Sequence, residues 1–137
     1  MTAFLDTNVL VYRVDSKAPE KQQRAFELVN ALYQTQNAVI STQVLQEFYN
    51  TLTRKLGVSP GDAAVAAKHQ TKARLVSLSW PVIQAAMQRH ANGQFSFWDA
   101  LIVEAALSAG CKTLYSEDMQ HGLVLDGMTI ENPFLGL

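Results

Sequence analysis

The chain has 137 residues, of which 48% are hydrophobic and 17% charged, so it suits one compact soluble domain and is too short for two ordinary ones. Its net charge of −1 gives no global attraction to nucleic acid, so any contact with RNA or DNA would need a local basic rim. A single cysteine, Cys111, excludes an intrachain disulfide and a cysteine-rich zinc site.

The first half of the chain alternates short apolar stretches with segments of helical periodicity. Pro19 suits the first position of a helix, and Ser41 and Ser59 can each cap the helix that follows them. Gly57 ends the helix that begins after Ser41. In chain order we predict a strand at residues 3–6, a helical turn at 7–12, a helix at 19–36, a strand at 38–40 and helices at 41–57 and 59–69.

The second half continues the same alternation. Asn92 and Gly93 separate two helices, and Ser96 with Asp99 has the spacing of a capping box. Gly110 ends the Ala- and Leu-rich helix that follows. We predict a strand at residues 75–78, helices at 81–90 and 96–110, and strands at 112–115 and 128–130. The whole pattern predicts one α/β domain with a mostly parallel sheet of about five strands, covered by helices on both faces.

Four acids fall near one edge of this predicted sheet. In open parallel sheets, ligands bind beyond the carboxyl ends of the strands. Asp6 ends the first strand and Asp118 lies just past the strand at residues 112–115. Asp99 begins a helix, at the end that faces the same edge. Glu47 lies about a turn and a half into its helix, which starts just after the second strand, so it could still point over this edge.

Each acid also has an ordinary structural explanation. Asp6 could cap the following turn, and Asp99 could be the acid of a capping box with Ser96. Glu47 could be a solvent-facing helix residue, and Asp118 could form a turn. For any one acid taken alone, the structural explanation is the better one.

Taken together, the acids are harder to explain in that way. Asp6 follows a buried strand, where an unpaired charge is costly, and aromatic residues flank Asp99. No lysine or arginine stands near Asp6, Glu47 or Asp99 in the sequence. Carboxylates that share one cleft repel each other, and a divalent cation removes that conflict.

The donor types narrow the choice of metal to Mg²⁺ or Mn²⁺, because the site offers only oxygen ligands. The three histidines, His69, His90 and His121, follow no metal-binding spacing, and we expect them at the surface. Mg²⁺ held by carboxylates most naturally serves phosphate chemistry, where it orients an attacking water and neutralises charge on phosphorus.

Other chemistries fit the sequence less well. It contains neither a phosphate-binding loop of the G-x-x-x-x-G-K-[ST] or G-x-G-x-x-G kind nor a G-x-S-x-G nucleophile elbow. A phosphotransfer domain with an aspartyl nucleophile would need a second acid near Asp6 and a late lysine. The residues after Asp6 are Thr7 and Asn8, and no lysine follows Lys112.

Three basic groups could form a rim for nucleic acid, although each is more simply explained as a solvated helix face. They are Lys17, Lys21 and Arg24; Arg54 and Lys55; and Lys68, Lys72 and Arg74. The amino-terminal residues lack a basic segment and soon reach an acid, so we expect no signal peptide and a cytoplasmic protein without membrane contact.

Four stretches of the sequence match a known family, in order and over nearly the whole chain. They are FLDTNVL at residues 4–10, STQVLQEF at 41–48, SFWDALI at 96–102 and LYSEDM at 114–119. In these features the sequence resembles the PIN-domain ribonucleases, and within them the VapC-type toxins of bacterial toxin–antitoxin modules.

The resemblance implies a three-layer α/β/α fold and Mg²⁺- or Mn²⁺-dependent cleavage of single-stranded RNA. It implies that four acids bind the metal and act in catalysis, namely Asp6, Glu47, Asp99 and Asp118. Thr7 or Asn8, and Ser116, match polar positions that support these acids or the bound water. Ser116 stands where many family members have threonine, and it keeps the hydroxyl. The resemblance further implies a homodimer, held inactive by a small antitoxin whose other end binds promoter DNA.

These two lines of reasoning give one mechanistic hypothesis. Asp6, Asp99 and either Glu47 or Asp118 hold one or two metal ions, and the remaining carboxylate orients the water. Nearby lysine or arginine side chains hold the flanking RNA. The alternative is a PIN-like binding or scaffold module without turnover, against which the presence of all four acids argues.

Overall fold

Short apolar strands alternate with helices in the computed structural model, which describes all residues, 1–137. In chain order the elements are β1 (Ala3–Leu5), α1 (Thr7–Val14), α2 (Pro19–Gln34), β2 (Ala38–Ser41), α3 (Thr42–Arg54), α4 (Pro60–Gln70), β3 (Arg74–Val76), α5 (Trp80–Ala91), α6 (Phe97–Ser108), β4 (Thr113–Tyr115), β5 (Val124–Leu125) and β6 (Met128–Glu131). None of the six helices is both long and apolar enough to cross a membrane.

All strands belong to one sheet in the order β3-β2-β1-β4-β6-β5. Every pairing is parallel except that of β5 with β6. The helices pack in pairs, α1 with α2, α3 with α4 and α5 with α6, and α2, α3 and α6 all contact β2. The three-layer α/β/α fold with a mostly parallel sheet is therefore confirmed.

The sheet has six strands, whereas the sequence predicted about five. The additional strand, β5, has two residues and pairs with β6 through a tight hairpin. Asp126 and Gly127 form its turn with φ of 49° and 84°, the left-handed backbone that two-residue hairpins need and that Asp-Gly tolerates well. So short a strand has no periodicity of its own, but its turn dipeptide was a usable signal.

The core forms around the middle residues of the central strands. Phe4 pairs in register with Leu114, and Leu114 with Ile130, and all three are fully buried in one hydrophobic cluster. Val29 of α2 and Phe48 of α3 belong to the same cluster. This packing fixes where each central strand ends, and with it the positions of the residues that follow.

The predicted helix caps are confirmed, and the predicted boundaries are off by a few residues. The hydroxyls of Ser41, Ser59 and Ser96 each accept a hydrogen bond from the backbone N–H three residues later, at 3.3, 3.2 and 3.1 Å. The third strand is β3, one residue earlier than predicted at its start and two at its end.

The chain order changes direction in the sheet at the boundary between β1 and β4. Successive strands β2 and β3 lie on one side of β1, while β4 and β6 lie on the other. Because the connecting segments leave such a point in opposite directions, a crevice opens beyond the carboxyl ends of the two strands. Asp6 and Ser116 are the first residues past β1 and β4, so both stand at this crevice.

Candidate active site

Asp6 both ends β1 and caps α1. Its backbone N–H donates to the Tyr115 carbonyl at 3.0 Å, and its Oδ1 accepts from the Thr7 backbone N–H at 2.8 Å. The ordinary capping role that the sequence suggested is therefore real. Capping does not, however, account for the burial of the whole residue, which is only 6% exposed.

Ser116 is fully buried beside Asp6 and links it to Asp118. Its hydroxyl donates to Asp6 Oδ2 at 2.8 Å and accepts from the backbone N–H of Asp118 at 3.2 Å. One side chain thus fixes the Asp6 carboxylate and the path of the loop that carries Asp118.

Asn8 bridges the same two acids from α1. Its Nδ2 donates to Asp118 Oδ2 at 3.1 Å and to Asp6 Oδ2 at 3.4 Å. Its Oδ1 accepts from the backbone N–H of Glu117 at 3.1 Å. The amide therefore holds the loop after β4 against the start of α1, with Asp118 itself exposed to solvent.

Glu47 reaches the site from α3, where its half-buried carboxylate has two donors. Thr7 Oγ1 donates to Glu47 Oε1 at 2.6 Å, and Gln43 Nε2 donates to Oε2 at 3.3 Å. Gln43 Nε2 also donates to the Trp98 carbonyl at 3.2 Å, which ties α3 to the start of α6. Glu47 is therefore held in the site and is not a freely solvated helix residue. The sequence reading overlooked Gln43, which is buried and lies one helical turn before Glu47.

Asp99 is the third residue of α6, and its backbone N–H donates to the capping hydroxyl of Ser96. Its side chain is half-buried. This burial raises the pKa of its carboxyl, and so do the negative charges of Asp118 and Glu47. Asp99 thus lies in the first turn of a capped helix, as its structural explanation required. It is also close enough to Asp118 and Glu47 for their negative charges to act on its carboxyl.

No cation balances these four acids. Burial, together with the charges of Glu47 and Asp99, raises the pKa of Asp6 to about 6, against the lowering effect of the Ser116 and Thr7 hydrogen bonds. The ion pairs of the chain all lie elsewhere and join Lys21 to Glu117, Arg89 to Glu104 and Arg89 to Asp126. The site therefore has an uncompensated negative charge, part of it in a buried position.

The chemistry of the donors fits a divalent cation, although the side chains are not drawn together into a ready metal cage. No three Asp, Glu, His or Cys side chains converge as a metal-binding group. Repulsion between like charges favours such spacing. The donor set is nonetheless entirely oxygen, and Gln43 adds a buried Oε1 without a hydrogen-bond donor. Hard oxygen donors of this kind suit Mg²⁺ or Mn²⁺.

An open cleft of about 460 Å³ starts at these acids. Glu47 and Asp118 line its wall together with Thr7 and Asn8, whereas Asp6 and Asp99 do not. The sequence-predicted residues are thus brought to one crevice at different depths, with Asp6 buried and Asp118 at the surface.

A second group of contacts, which the sequence reading missed, supports the loop after β4. Lys21 Nζ pairs with Glu117 Oε2 at 2.5 Å, and Tyr12 OH donates to Glu117 Oε1 at 2.8 Å. Lys21 also lies 4.9 Å from the centre of the Tyr12 ring. Lys21 thereby neutralises Glu117, so Glu117 differs from the four acids in having a cationic partner. Lys21 is not the freely solvated residue that the sequence suggested.

The remaining basic residues and the histidines form no ion pair with the four acids. Arg24 donates to the Pro133 carbonyl, and Arg74 to the Ala109 carbonyl. All three histidines are exposed, as expected, and none belongs to the site. Of the basic residues that could have formed a rim, only Lys55 lines the cleft.

Comparisons with known proteins place the chain in a family. A family model described as PIN domain matches residues 3–122. A comparison with curated proteins returned no match.

Among solved structures, 21 chains match. One comes from VapBC2 of Rickettsia felis bound to a promoter DNA fragment, with 18% identity over 96% of this chain and 98% of that chain and a TM-score of 0.70. DNA-bound VapBC from Salmonella typhimurium gives 17% identity over 97% and 98%, with a TM-score of 0.70.

VapC20 of Mycobacterium tuberculosis, described as a sarcin-ricin loop cleaving toxin, gives 21% identity over 85% of this chain and 90% of that chain, with a TM-score of 0.61. At these identities the structures establish a common fold. The family model matches well over half of the sequence. The chain therefore belongs to the PIN domain family.

Proposed function

We propose that this chain is a metal-dependent endoribonuclease that hydrolyses phosphodiester bonds of single-stranded RNA. The observation that carries the proposal is a group of four acids at one crevice, without any cationic partner, in which burial raises the pKa of Asp6 to about 6. A protein gains nothing in stability from such a group, so a ligand that needs the negative charge is the simplest reason for it.

The proposed metal ligands are Asp6, Asp99 and either Glu47 or Asp118, with the fourth carboxylate left to orient the attacking water. A bound Mg²⁺ or Mn²⁺ lowers the pKa of water and neutralises charge on the reacting phosphate.

The neighbouring polar residues have positioning roles in this scheme. The Ser116 hydroxyl and the Thr7 N–H keep Asp6 ionised near neutral pH by donating to its carboxylate. The Thr7 hydroxyl orients Glu47, and the Asn8 amide orients Asp118. These donors leave each carboxylate with further lone pairs for a cation or a water proton.

The test is cleavage of a 5′-labelled single-stranded RNA by the wild type and by Asp99→Asn, with Mn²⁺ and with EDTA. Asp62→Asn is the matched control because Asp62 is an exposed acid in the first turn of α4 and does not line the cleft. We expect the wild type and the control to cleave the RNA in Mn²⁺ but not in EDTA. The cleavage rate of Asp99→Asn in Mn²⁺ should be lower by at least about a hundredfold. Undiminished cleavage by folded Asp99→Asn, or cleavage in EDTA, would refute the proposal.

We further propose that the nuclease is the cytoplasmic toxin of a toxin–antitoxin module. The gene adjacent to it in the genome offers the best test of this role. Chains that share the fold come from VapBC2 of Rickettsia felis bound to a promoter DNA fragment and from DNA-bound VapBC of Salmonella typhimurium, and a further one comes from a toxin–antitoxin complex of Klebsiella pneumoniae. By this likeness the partner is a small antitoxin that carries the DNA-binding part, and the nuclease itself is a homodimer. Co-expression with the adjacent small reading frame should suppress both toxicity and RNA cleavage.

A PIN-like scaffold without turnover is the second candidate. The observation in its favour is that the acids do not converge into a ready metal-binding group. Mn²⁺ binding at neutral pH separates the two candidates, because a scaffold has no need of the cation.

A further inference from the structure

The cleft that begins at the acids continues along one face of α3. Glu47, Thr51 and Lys55 all line it, and residues four apart lie on the same side of a helix. With a rise of 1.5 Å per residue, Lys55 stands about 12 Å along the helix axis from Glu47. Asn50 lines the same stretch. The cleft therefore has an acidic end and a second end built from neutral and basic side chains.

The charges in the cleft are unequally distributed. The charged residues that line it are Asp15, Glu47, Glu117, Asp118 and Lys55. Lys55 is thus the only cationic side chain in a cleft with four acids. Because Lys21 neutralises Glu117, a polyanion that enters the cleft is repelled by Asp15, Glu47 and Asp118. Lys55 is the one unpaired cationic side chain on the wall that can attract a phosphate.

The side chains at this second end have no partners within the protein. Lys55 makes no ion pair, and neither its ammonium nor the side chains of Asn50 and Thr51 form a hydrogen bond. Lys21 differs from Lys55 in this respect, because the ammonium of Lys21 is bound by Glu117 and Tyr12. The donors of Lys55, Asn50 and Thr51 are free for a ligand with acceptor oxygens.

We propose that Lys55, with Asn50 and Thr51, forms a subsite for a backbone phosphate of the nucleic-acid strand, remote from the bond that is cut. The subsite rests on the proposed ribonuclease function and deepens it, since it requires a substrate longer than the two nucleotides that flank the reacting phosphate. The ammonium supplies charge to the phosphate, while the amide and hydroxyl supply hydrogen bonds to phosphate or ribose oxygens. Lys55 is a binding residue in this scheme and takes no part in bond cleavage.

The test compares Lys55→Ala with Arg54→Ala. Arg54 is the adjacent residue, has the same charge and is also exposed, but it does not line the cleft. Binding of a fluorescein-labelled, mixed-sequence RNA of twelve nucleotides is measured by anisotropy in EDTA, over a series of NaCl concentrations. EDTA prevents cleavage and removes any contribution of a metal ion to binding.

We expect Lys55→Ala to bind about tenfold more weakly, as for the loss of one charge-assisted hydrogen bond. The slope of log K against log salt should become shallower by about 0.7, the value for one phosphate contact on a single strand. Arg54→Ala should bind like the wild type, and Lys55→Arg should restore most of the affinity. Equal effects of Lys55→Ala and Arg54→Ala, no effect of either, or no binding by the wild type would overturn the subsite.

Cleavage of the same RNA in Mn²⁺ by the wild type, run in parallel, keeps this inference distinct from the proposed function. Cleavage without dependence of binding on Lys55 refutes the subsite alone. Binding that depends on Lys55 without any cleavage refutes the nuclease proposal and leaves the subsite in place.

Discussion

Replacing Asp6 with asparagine should make the protein more stable at neutral pH, because the buried carboxylate is held there at a cost. Burial raises its pKa from 3.8 to about 6. Each unit corresponds to 1.36 kcal/mol, so ionising Asp6 in the fold costs about 3 kcal/mol more than ionising it in the unfolded chain.

The sign of the pH dependence follows from the direction of this shift. The folded state holds the Asp6 proton more tightly than the unfolded state, so wild-type stability from this group is full below about pH 4 and is lost as the pH rises through about 6. Asparagine has no proton to lose. The difference in unfolding free energy between Asp6→Asn and the wild type should therefore grow by about 2.4 kcal/mol between pH 4 and pH 7.

The substitution Asp6→Asn also lowers the free energy of unfolding by an amount that does not depend on pH, because it weakens hydrogen bonds. The carboxylate accepts hydrogen bonds from Thr7, Asn8 and Ser116, and the amide has one acceptor oxygen in place of two. A lost acceptor costs about 1 kcal/mol, so the net stabilisation at pH 7 is about 2 kcal/mol.

Urea unfolding at pH 4, 5, 6 and 7 measures the difference directly, with Asp62→Asn as the control. Asp62 is exposed, so its replacement removes no buried charge and serves as the matched Asp-to-Asn control. A difference between Asp6→Asn and the wild type that stays constant over this range, or that shrinks as the pH rises, would refute the reasoning about Asp6.

Two further predictions concern Ser116 and the β5–β6 turn. Removing the Ser116 hydroxyl in Ser116→Ala takes away the hydrogen bond that lowers the pKa of Asp6, so that pKa should rise further, by about one unit. The acid limb of RNA cleavage against pH should move upward with it, while Ser116→Thr should keep the wild-type profile; an unmoved limb in Ser116→Ala would contradict the assignment. Gly127→Ala forces a side chain into backbone with φ of 84° and should cost about 1–2 kcal/mol in urea unfolding at any pH, with cleavage by the folded protein unchanged.

Much of the fold followed from local sequence signals because those signals act over a few residues. Ser41, Ser59 and Ser96 bond the amides predicted for them, since capping depends only on the next helical turn. The two-residue strand β5 was missed because it is too short for periodicity, although the turn at Asp126 and Gly127 marks it.

The candidate site was predictable in part, for a physical reason. Asp6 and Asp118 were placed by the rule that parallel strands end at a common edge, and the register of Leu5 with Tyr115 puts the next residues side by side. Glu47 was harder to place, because the bond that holds it joins residues 40 apart in sequence. The sequence contains no local sign of such a pairing.

The supporting residues could not be found in this way. Gln43 is an unremarkable glutamine in sequence, and its importance comes from facing both Glu47 and the Trp98 carbonyl. The pairing of Lys21 with Glu117 spans 96 residues. Local charge patterns favoured a solvated lysine, whereas the packing of α1 and α2 brings it to the loop after β4.

Calorimetric titration with Mn²⁺ at pH 7 and pH 5 tests the central claim most directly. The claim is that the four acids carry their uncompensated charge in order to bind a divalent cation. We predict binding by the wild type at pH 7, clear weakening at pH 5 as Asp6 takes up its proton, and loss of binding in Asp99→Asn but not in Asp62→Asn. Absence of Mn²⁺ binding by the folded wild type at pH 7, or unchanged binding in Asp99→Asn, would contradict the account.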